Sequence, residues 1–112
     1  MDIENISKRL TKFAEDRAWG QFHSPKNLAI SLAVEAGELL EIFQWLPETH
    51  QYDETIRQKA SEEIADILIY AIMFSQKMNI DIADAVLRKI KLNELKYPQE
   101  KSKGSNKKYT EF

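Results

Sequence analysis

The feature that most constrains the fold is the spacing of apolar residues, which recur every three or four positions along most of the 112-residue chain. This spacing is the period of an amphipathic helix, whereas a half-buried strand alternates at every second residue. Only three glycines and three prolines interrupt the pattern. The sequence therefore predicts an all-α fold, and its length leaves room for one hydrophobic core.

Breaks in the pattern predict four helices with short connections, at residues 3–17, 25–46, 54–78 and 82–96. Short connections between helices favour an antiparallel four-helix bundle. We expect a helical domain over residues 1–97, followed by a polar, lysine-rich tail over residues 98–112 that by composition alone is solvated.

Capping residues mark the ends of these helices. Ser24 before Pro25 is typical of a helix start, because serine caps the first turn and proline there needs no N–H. Asp53 and Asp81 are expected to cap the third and fourth helices. The first helix is expected to close at Trp19-Gly20, and the third at a left-handed Met78-Asn79.

Charge and composition exclude several classes of protein. With a net charge of −2, the chain lacks the excess positive charge that attracts nucleic acid or an anionic membrane. Without cysteine the chain has neither disulfides nor thiolate metal sites. The start lacks the features of a secretory signal, and the longest apolar run, residues 64–74, is well short of the roughly 20 residues of a membrane span. We expect a soluble, cytoplasmic protein.

Two of the predicted helices carry carboxylates where apolar side chains are expected. Glu35 falls in the middle of the apolar stripe of the second helix, and Glu38 lies at its edge. Glu63 and Asp66 have the same positions in the third helix. Glu41 and Glu62 fall toward the polar side and are interpreted as surface acids. The two stripes are formed by Leu28, Leu32, Leu39, Ile42 and Leu46 and by Ile56, Ala60, Ile67, Ala71 and Phe74.

These four acids, Glu35, Glu38, Glu63 and Asp66, predict a cation site. An ionised carboxylate in a core is costly unless it is paired or binds a metal, and neither stripe contains a basic residue. Ligands that are all oxygen suit Mg²⁺, with Mn²⁺ as a substitute, and Mg²⁺ is usually completed by substrate phosphates. The alternative is that Glu35 and Glu63 are rim residues paired with Lys26, Lys59 or lysines of the tail.

The third helix is apolar on a second side as well, through Leu68, Ile69, Ile72 and Met73. Such a helix requires burial on both sides. A second subunit provides this cover in a small domain, and a central position within the monomer is the alternative.

The chain resembles the MazG-like nucleotide pyrophosphohydrolases, and in particular their dCTP pyrophosphatase-like branch. The resemblance runs nearly end to end, and the acids at 35, 38, 63 and 66 match the metal-binding acids of the family. The matching segments are FAEDRAWGQFHSPKNLAISLAVEAGELLEIFQW (13–45), EEIADILIYAIMF (62–74) and NELKYPQEKSKGSNKKYTE (93–111).

The resemblance implies an all-α homodimer or homotetramer that uses Mg²⁺ to hydrolyse (deoxy)nucleoside triphosphates to monophosphate and pyrophosphate, in nucleotide-pool sanitation. It also implies that Trp19, His23 and Trp45 lie around the base. Where some relatives have a histidine near the base, this chain has Leu10, which leaves the preferred base open. Sugar or phosphate contacts are implied for Tyr70, Asn93, Lys96, Tyr97, Lys108 and Tyr109.

Two alternatives to this function remain at the level of sequence. One is a non-catalytic helical oligomer that binds a nucleotide or a divalent ion. The other is a relative that acts on a different pyrophosphate, such as dUTP or phosphoribosyl-ATP.

Overall fold

The computed structural model, which describes residues 1–49 and 51–111, has a helix in each of the four segments for which the apolar spacing predicts one. No strand occurs within these ranges, and the predicted all-α class is confirmed. Two short 3-10 turns, at Gly20–Phe22 and Tyr109–Glu111, accompany the helices. The helices are α1 (Ile3–Asp16), α2 (Pro25–Phe43), α3 (Glu54–Lys77), α4 (Ile82–Lys96) and α5 (Gln99–Ser102).

Each of the four long helices begins with a side-chain cap. The predicted caps Ser24, Asp53 and Asp81 accept hydrogen bonds of 3.1, 2.9 and 3.0 Å from backbone N–H groups three residues further on. Asp2 does the same for α1 at 3.0 Å. These bonds satisfy N–H groups that have no partner inside the helix, which is why the predicted starts are correct.

α1 does not close at Trp19-Gly20 as predicted. It ends at Asp16, and Ala18 takes the left-handed conformation with φ 51°. The N–H of Trp19 donates to Ala14 O and the N–H of Ala18 to Glu15 O, the bond pattern of a Schellman motif. α3 ends in the same motif, with Asn79 at φ 55° as predicted.

α2 ends at Phe43, three residues before the predicted end at Leu46. Pro47 causes this early end, because its ring would collide with the carbonyl of Phe43 and because the residue before a proline avoids helical backbone. The ring of Tyr52 then packs edge-on against Phe43 at 5.3 Å between centroids. Trp45 is consequently outside α2, and its side chain is 86% exposed.

The chain forms two compact units, Met1–Ile80 and Asp81–Phe112. In the first, α3 packs along α2 and against α1, around the buried side chains of Leu28, Ile72 and Met73. The amide of Gln76 ties α3 to α1 by donating to Ser7 O at 3.0 Å and to Thr11 Oγ1 at 3.3 Å.

The second unit contains α4, α5 and the 3-10 turn at Tyr109–Glu111. Its end is more structured than its composition predicts, because Pro98 caps the single turn of α5 and its carbonyl accepts from the N–H of Ser102 at 2.9 Å. Within the described ranges, no helix combines the length and the apolar content that a bilayer crossing needs.

Candidate functional site

The packing of α2 on α3 brings acids of both helices together. One carboxylate oxygen from each of Glu35, Glu63 and Asp66 lies within 4.8 Å of the other two. Glu38 is within hydrogen-bonding reach of Glu35 and Glu63. Glu35 lies near Asp66, and Ile42, further along α2, shares a cavity with Lys59, which is earlier in α3. The two helices therefore run antiparallel. The two acidic pairs predicted from the helical stripes therefore face each other.

The cluster makes ionisation of Glu35 unfavourable without a cation. A hydrogen bond with Glu38 and desolvation by burial are the leading causes that raise the pKa of Glu35 to about 7. A hydrogen bond with Glu63 and the negative charges of Glu38 and Asp66 act in the same direction. Without a bound cation, this carboxyl group therefore holds its proton to a higher pH than a free glutamate does.

Glu63 is affected in the same way. Its hydrogen bond with Glu35 lowers the pKa of Glu63, but desolvation, a hydrogen bond with Glu38 and the charges of Glu38 and Asp66 outweigh it. The net direction is a raised pKa. Glu35 and Glu63 are thus two half-buried carboxyl groups that both bind protons more tightly than free glutamates do. Neighbouring acids behave in this way when the positive charge that normally neutralises them is a bound cation.

One oxygen of Glu35 and one of Glu63 are buried without a hydrogen-bond partner. The ion pairs at Lys8–Glu4, Lys12–Asp16, Arg57–Glu54 and Arg88–Asp84 do not include these acids. The alternative that Lys26 or Lys59 neutralises these acids therefore has no ion pair in its support. Buried carboxylate oxygens without donors, set among other carboxylates, fit a hard divalent cation.

A cavity of about 410 Å³ adjoins the cluster and extends its negative charge. Its lining includes Glu38 and Glu63 together with Glu41, Glu62 and Lys59. Glu41 and Glu62 are exposed, as the sequence predicts, but they also line this cavity. Their charge adds to the attraction that the cluster exerts on cations.

A second cavity, of about 470 Å³, opens between α1, the loop after it and α3, and is called the aromatic cavity below. It is mainly apolar, and the predicted site residues Trp19, His23 and Tyr70 line it with Asp66. Asp66 thus belongs both to the acid cluster and to the wall of this cavity. Its remaining lining residues are Ile6, Arg9, Leu10, Phe13, Ile69 and Met73.

The end of α1 places the aromatic side chains at this cavity. The Schellman turn reverses the chain so that the Trp19 ring meets the Phe13 ring edge-on at 5.6 Å and the His23 ring at 6.4 Å. Asn27 Nδ2 donates to Phe22 O at 3.0 Å and fixes the loop to the first turn of α2. Trp19 is 44% exposed, so part of its ring is available to a ligand.

The remaining predicted contacts belong to other parts of the chain. Trp45 is exposed beyond α2 and is not among the residues that line the aromatic cavity. Asn93 and Lys96 are in α4 and Tyr97 caps it, while Lys108 directly precedes the last 3-10 turn, all in the second unit. The side chain of Tyr109 lies outside what the structure describes. These contacts stay predictions.

Sequence reasoning missed Arg9, Ile69 and Met73 as lining residues. Arg9 follows Ile6 by three positions and precedes Phe13 by four, so it lies at the edge of the apolar face of α1 and is exposed. A charged residue at such an edge is ordinary, unlike Glu35 and Glu63 in the middle of their stripes. Ile69 and Met73 give no signal either, because they resemble ordinary core residues.

Comparisons with known proteins give the family of the chain. The sequence model of the MazG-like family matches residues 30–112. The chain is 40% identical to bovine (Bos taurus) dCTP pyrophosphatase 1 and 37% identical to the human enzyme, over 98% of this chain and 68% and 67% of theirs. A crystal structure of a pyrophosphatase from Archaeoglobus fulgidus DSM 4304 superposes with a TM-score of 0.78 at 38% identity, covering 88% of this chain and 94% of that one.

The all-helical fold of the chain is thus the fold of a pyrophosphatase of known structure. The chain belongs to the MazG-like family. The predicted family and the predicted enzyme class, a nucleotide pyrophosphohydrolase, are confirmed.

Proposed function

We propose that the protein hydrolyses (deoxy)nucleoside triphosphates to the monophosphate and pyrophosphate with Mg²⁺, and that it acts in nucleotide-pool sanitation. The observation that carries this proposal is the double position of Asp66, in the acid cluster and in the wall of the aromatic cavity. A nucleotide whose base enters that cavity has its phosphates directed toward the acids. The names of the relatives, dCTP pyrophosphatase and pyrophosphatase, support the same reaction.

The acids of the cluster are assigned to the cation and to the attacking water. Glu35, Glu63 and Asp66, with Glu38 beside them, would hold the cation, and Mg²⁺ in such a site neutralises charge on a triphosphate during attack. Water is the nucleophile, and a carboxylate of the cluster orients it and accepts its proton. Trp19 stacks on the base, since an exposed aromatic face binds any base in this way.

The test is product analysis. We expect purified protein with Mg²⁺ and a panel of dNTPs, NTPs and modified nucleotides to release monophosphate and pyrophosphate in equal amounts, separated by ion-exchange chromatography. Removing Mg²⁺ with EDTA, or the substitution Glu38→Gln, abolishes turnover while the helical circular dichroism remains. Glu54→Gln, which changes an exposed acid of α3, serves as the control.

Other outcomes decide among the alternatives. Diphosphate with inorganic phosphate would refute attack at the α-phosphorus. Turnover restricted to dUTP or phosphoribosyl-ATP would replace the broad substrate class by that pyrophosphate. Nucleotide binding without turnover would indicate a non-catalytic binding protein.

We also propose a homodimer or homotetramer. Apolar side chains of α2 and α3 support it, because Ile30, Val34, Leu40 and Ile64 are each more than half exposed. Apolar surface of this kind commonly marks an interface. The cytoplasmic location, and the absence of nucleic-acid and membrane partners, stay predictions.

A further inference from the structure

The second unit, Asp81–Phe112, contains a well-capped helix but no core of its own. α4 is 15 residues long, begins at the Asp81 cap and carries an ion pair of 2.8 Å between Arg88 and Asp84. None of the side chains described between Asp81 and Glu111 is buried. Units of fewer than about 40 residues usually need disulfides, a metal or a partner to stay folded. The chain has no cysteine, and the acids that gather in its described part lie in the first unit, so packing against another surface is the remaining means of stabilising α4.

One side of α4 carries the apolar surface that such packing buries. Val86, Leu87 and Ile90 lie at helical spacing on this side, and they are 52%, 62% and 48% exposed. We call these three side chains the α4 face. A helix of about 15 residues is only marginally stable in water by itself, so most of its stability comes from burying such a face. Arg88, on the opposite side, is 79% exposed and already paired with Asp84.

The first unit has an uncovered apolar surface as well. Ile30 and Val34 are one helical turn apart on α2, and they are 52% and 54% exposed. A single exposed apolar side chain is ordinary, whereas a group of them commonly marks an interface. One chain therefore presents to water both the α4 face and a surface that could receive it.

The charges of the two units indicate which surfaces pair. Acids outnumber lysines and arginines in Met1–Ile80, and the reverse holds in Asp81–Phe112. Two second units repel each other and so do two first units, whereas a second unit is attracted to a first unit. Because the α4 face and the surface on α2 are both exposed within one chain, the first unit that receives α4 is that of another copy.

We propose that α4 of one copy packs on the first unit of a second copy, with the α4 face against Ile30 and Val34. The two copies exchange these helices reciprocally, so one two-fold axis relates both contacts and the assembly closes. The inference rests on the proposed homo-oligomer and not on the reaction. It assigns to α4 a contact that the exposed side chains of α2 and α3 do not by themselves require.

Single cysteines test the contact, because the chain has none of its own. Ile90→Cys places a thiol in the α4 face, and the control Arg88→Cys places one on the opposite side. We expect native Ile90→Cys to react with the thiol reagent DTNB about tenfold or more slowly than Arg88→Cys, and both to react equally fast in urea. The exposures of the two replaced side chains, 48% and 79%, account for less than a twofold difference. Equal native rates overturn the proposal.

Carbodiimide cross-linking identifies the surface that receives α4. Unlabelled and ¹⁵N-labelled protein are unfolded together in urea and refolded, and the linked peptides are identified by mass spectrometry. We expect pairs of mixed isotope that join lysines of the second unit, such as Lys89 and Lys91, to acids of the first unit. Links confined to one isotope would place α4 on its own chain, and mixed links only between second units would give α4 another partner surface. Either result overturns the proposal.

Sedimentation velocity separates this inference from the proposed homo-oligomer. Ile90→Glu puts a charge into the α4 face and should give a smaller species than the unmodified protein, whereas Arg88→Gln should not. An oligomer whose size Ile90→Glu leaves unchanged overturns the role of α4 alone. A monomeric unmodified protein overturns both, and its turnover of a triphosphate would still support the proposed reaction.

Discussion

At the scale of the residue, Glu35 and Glu63 are the groups for which a purely structural role is hardest to find. Each stands in the middle of an apolar stripe, each has an oxygen buried without a donor, and each has a raised pKa. A core that needed only stability would place leucine at both positions. Their cost in the free protein is the reason to expect that the native state includes a cation.

The raised pKa of Glu35 predicts how the stability of the metal-free protein depends on pH. A carboxyl group with a raised folded-state pKa binds its proton more tightly than the unfolded chain does, so its stabilising contribution is complete below pH 4.5 and is lost as pH rises through about 7. We expect the free energy of unfolding in EDTA to fall between pH 4.5 and pH 7.5. Urea denaturation at a series of pH values measures it.

The matched variant for this prediction is Glu35→Gln, which keeps the shape of the side chain and removes the titration. It should flatten the pH dependence and be more stable than the unmodified protein at pH 7.5 in EDTA. Identical pH profiles for the two proteins would contradict the assignment.

At the scale of the element, α1 ends on a residue poorly suited to its backbone. Ala18 has φ 51°, a conformation that costs an L-residue about 1 kcal/mol or more and costs glycine almost nothing. Ala18→Gly should therefore raise the free energy of unfolding by about 1 kcal/mol, measured by urea denaturation. Asn79→Gly at the end of α3 is the control and should change it less, because asparagine tolerates this conformation. A loss of stability in Ala18→Gly would show that the turn before Trp19 depends on the alanine methyl group.

Helix starts were more predictable than helix ends, for a physical reason. A helix start depends on one cap side chain, and the residue types of Ser24, Asp53 and Asp81 identify them as caps. The end of α1 depends on a backbone turn that glycine favours, and Gly20 two residues later is the more conspicuous candidate. The end of α2 depends on Pro47, whose ring affects the residue four positions earlier. Trp45, which was expected within α2, therefore lies outside it.

At the scale of the whole molecule, the sequence predicts what lies within one helix better than what lies between helices. The phases of Glu35 and Glu63 on their own stripes predicted the cluster, because antiparallel neighbours must place two such stripes face to face. The aromatic cavity draws on α1, the loop after it and α3, residues up to 67 positions apart, and no local pattern encodes that contact. Arg9 was missed as a lining residue because that position depends on which surface of α1 meets α3.

The most direct test of the metal site is Mn²⁺ binding at pH 8, followed by electron paramagnetic resonance, with Mg²⁺ as competitor. The unmodified protein and Glu54→Gln should bind the ion, and Mg²⁺ should displace it. Glu35→Gln and Glu63→Gln should each weaken binding by about tenfold or more, since each removes a ligand oxygen. Unchanged affinity in Glu63→Gln would contradict the site from which the proposed chemistry is built.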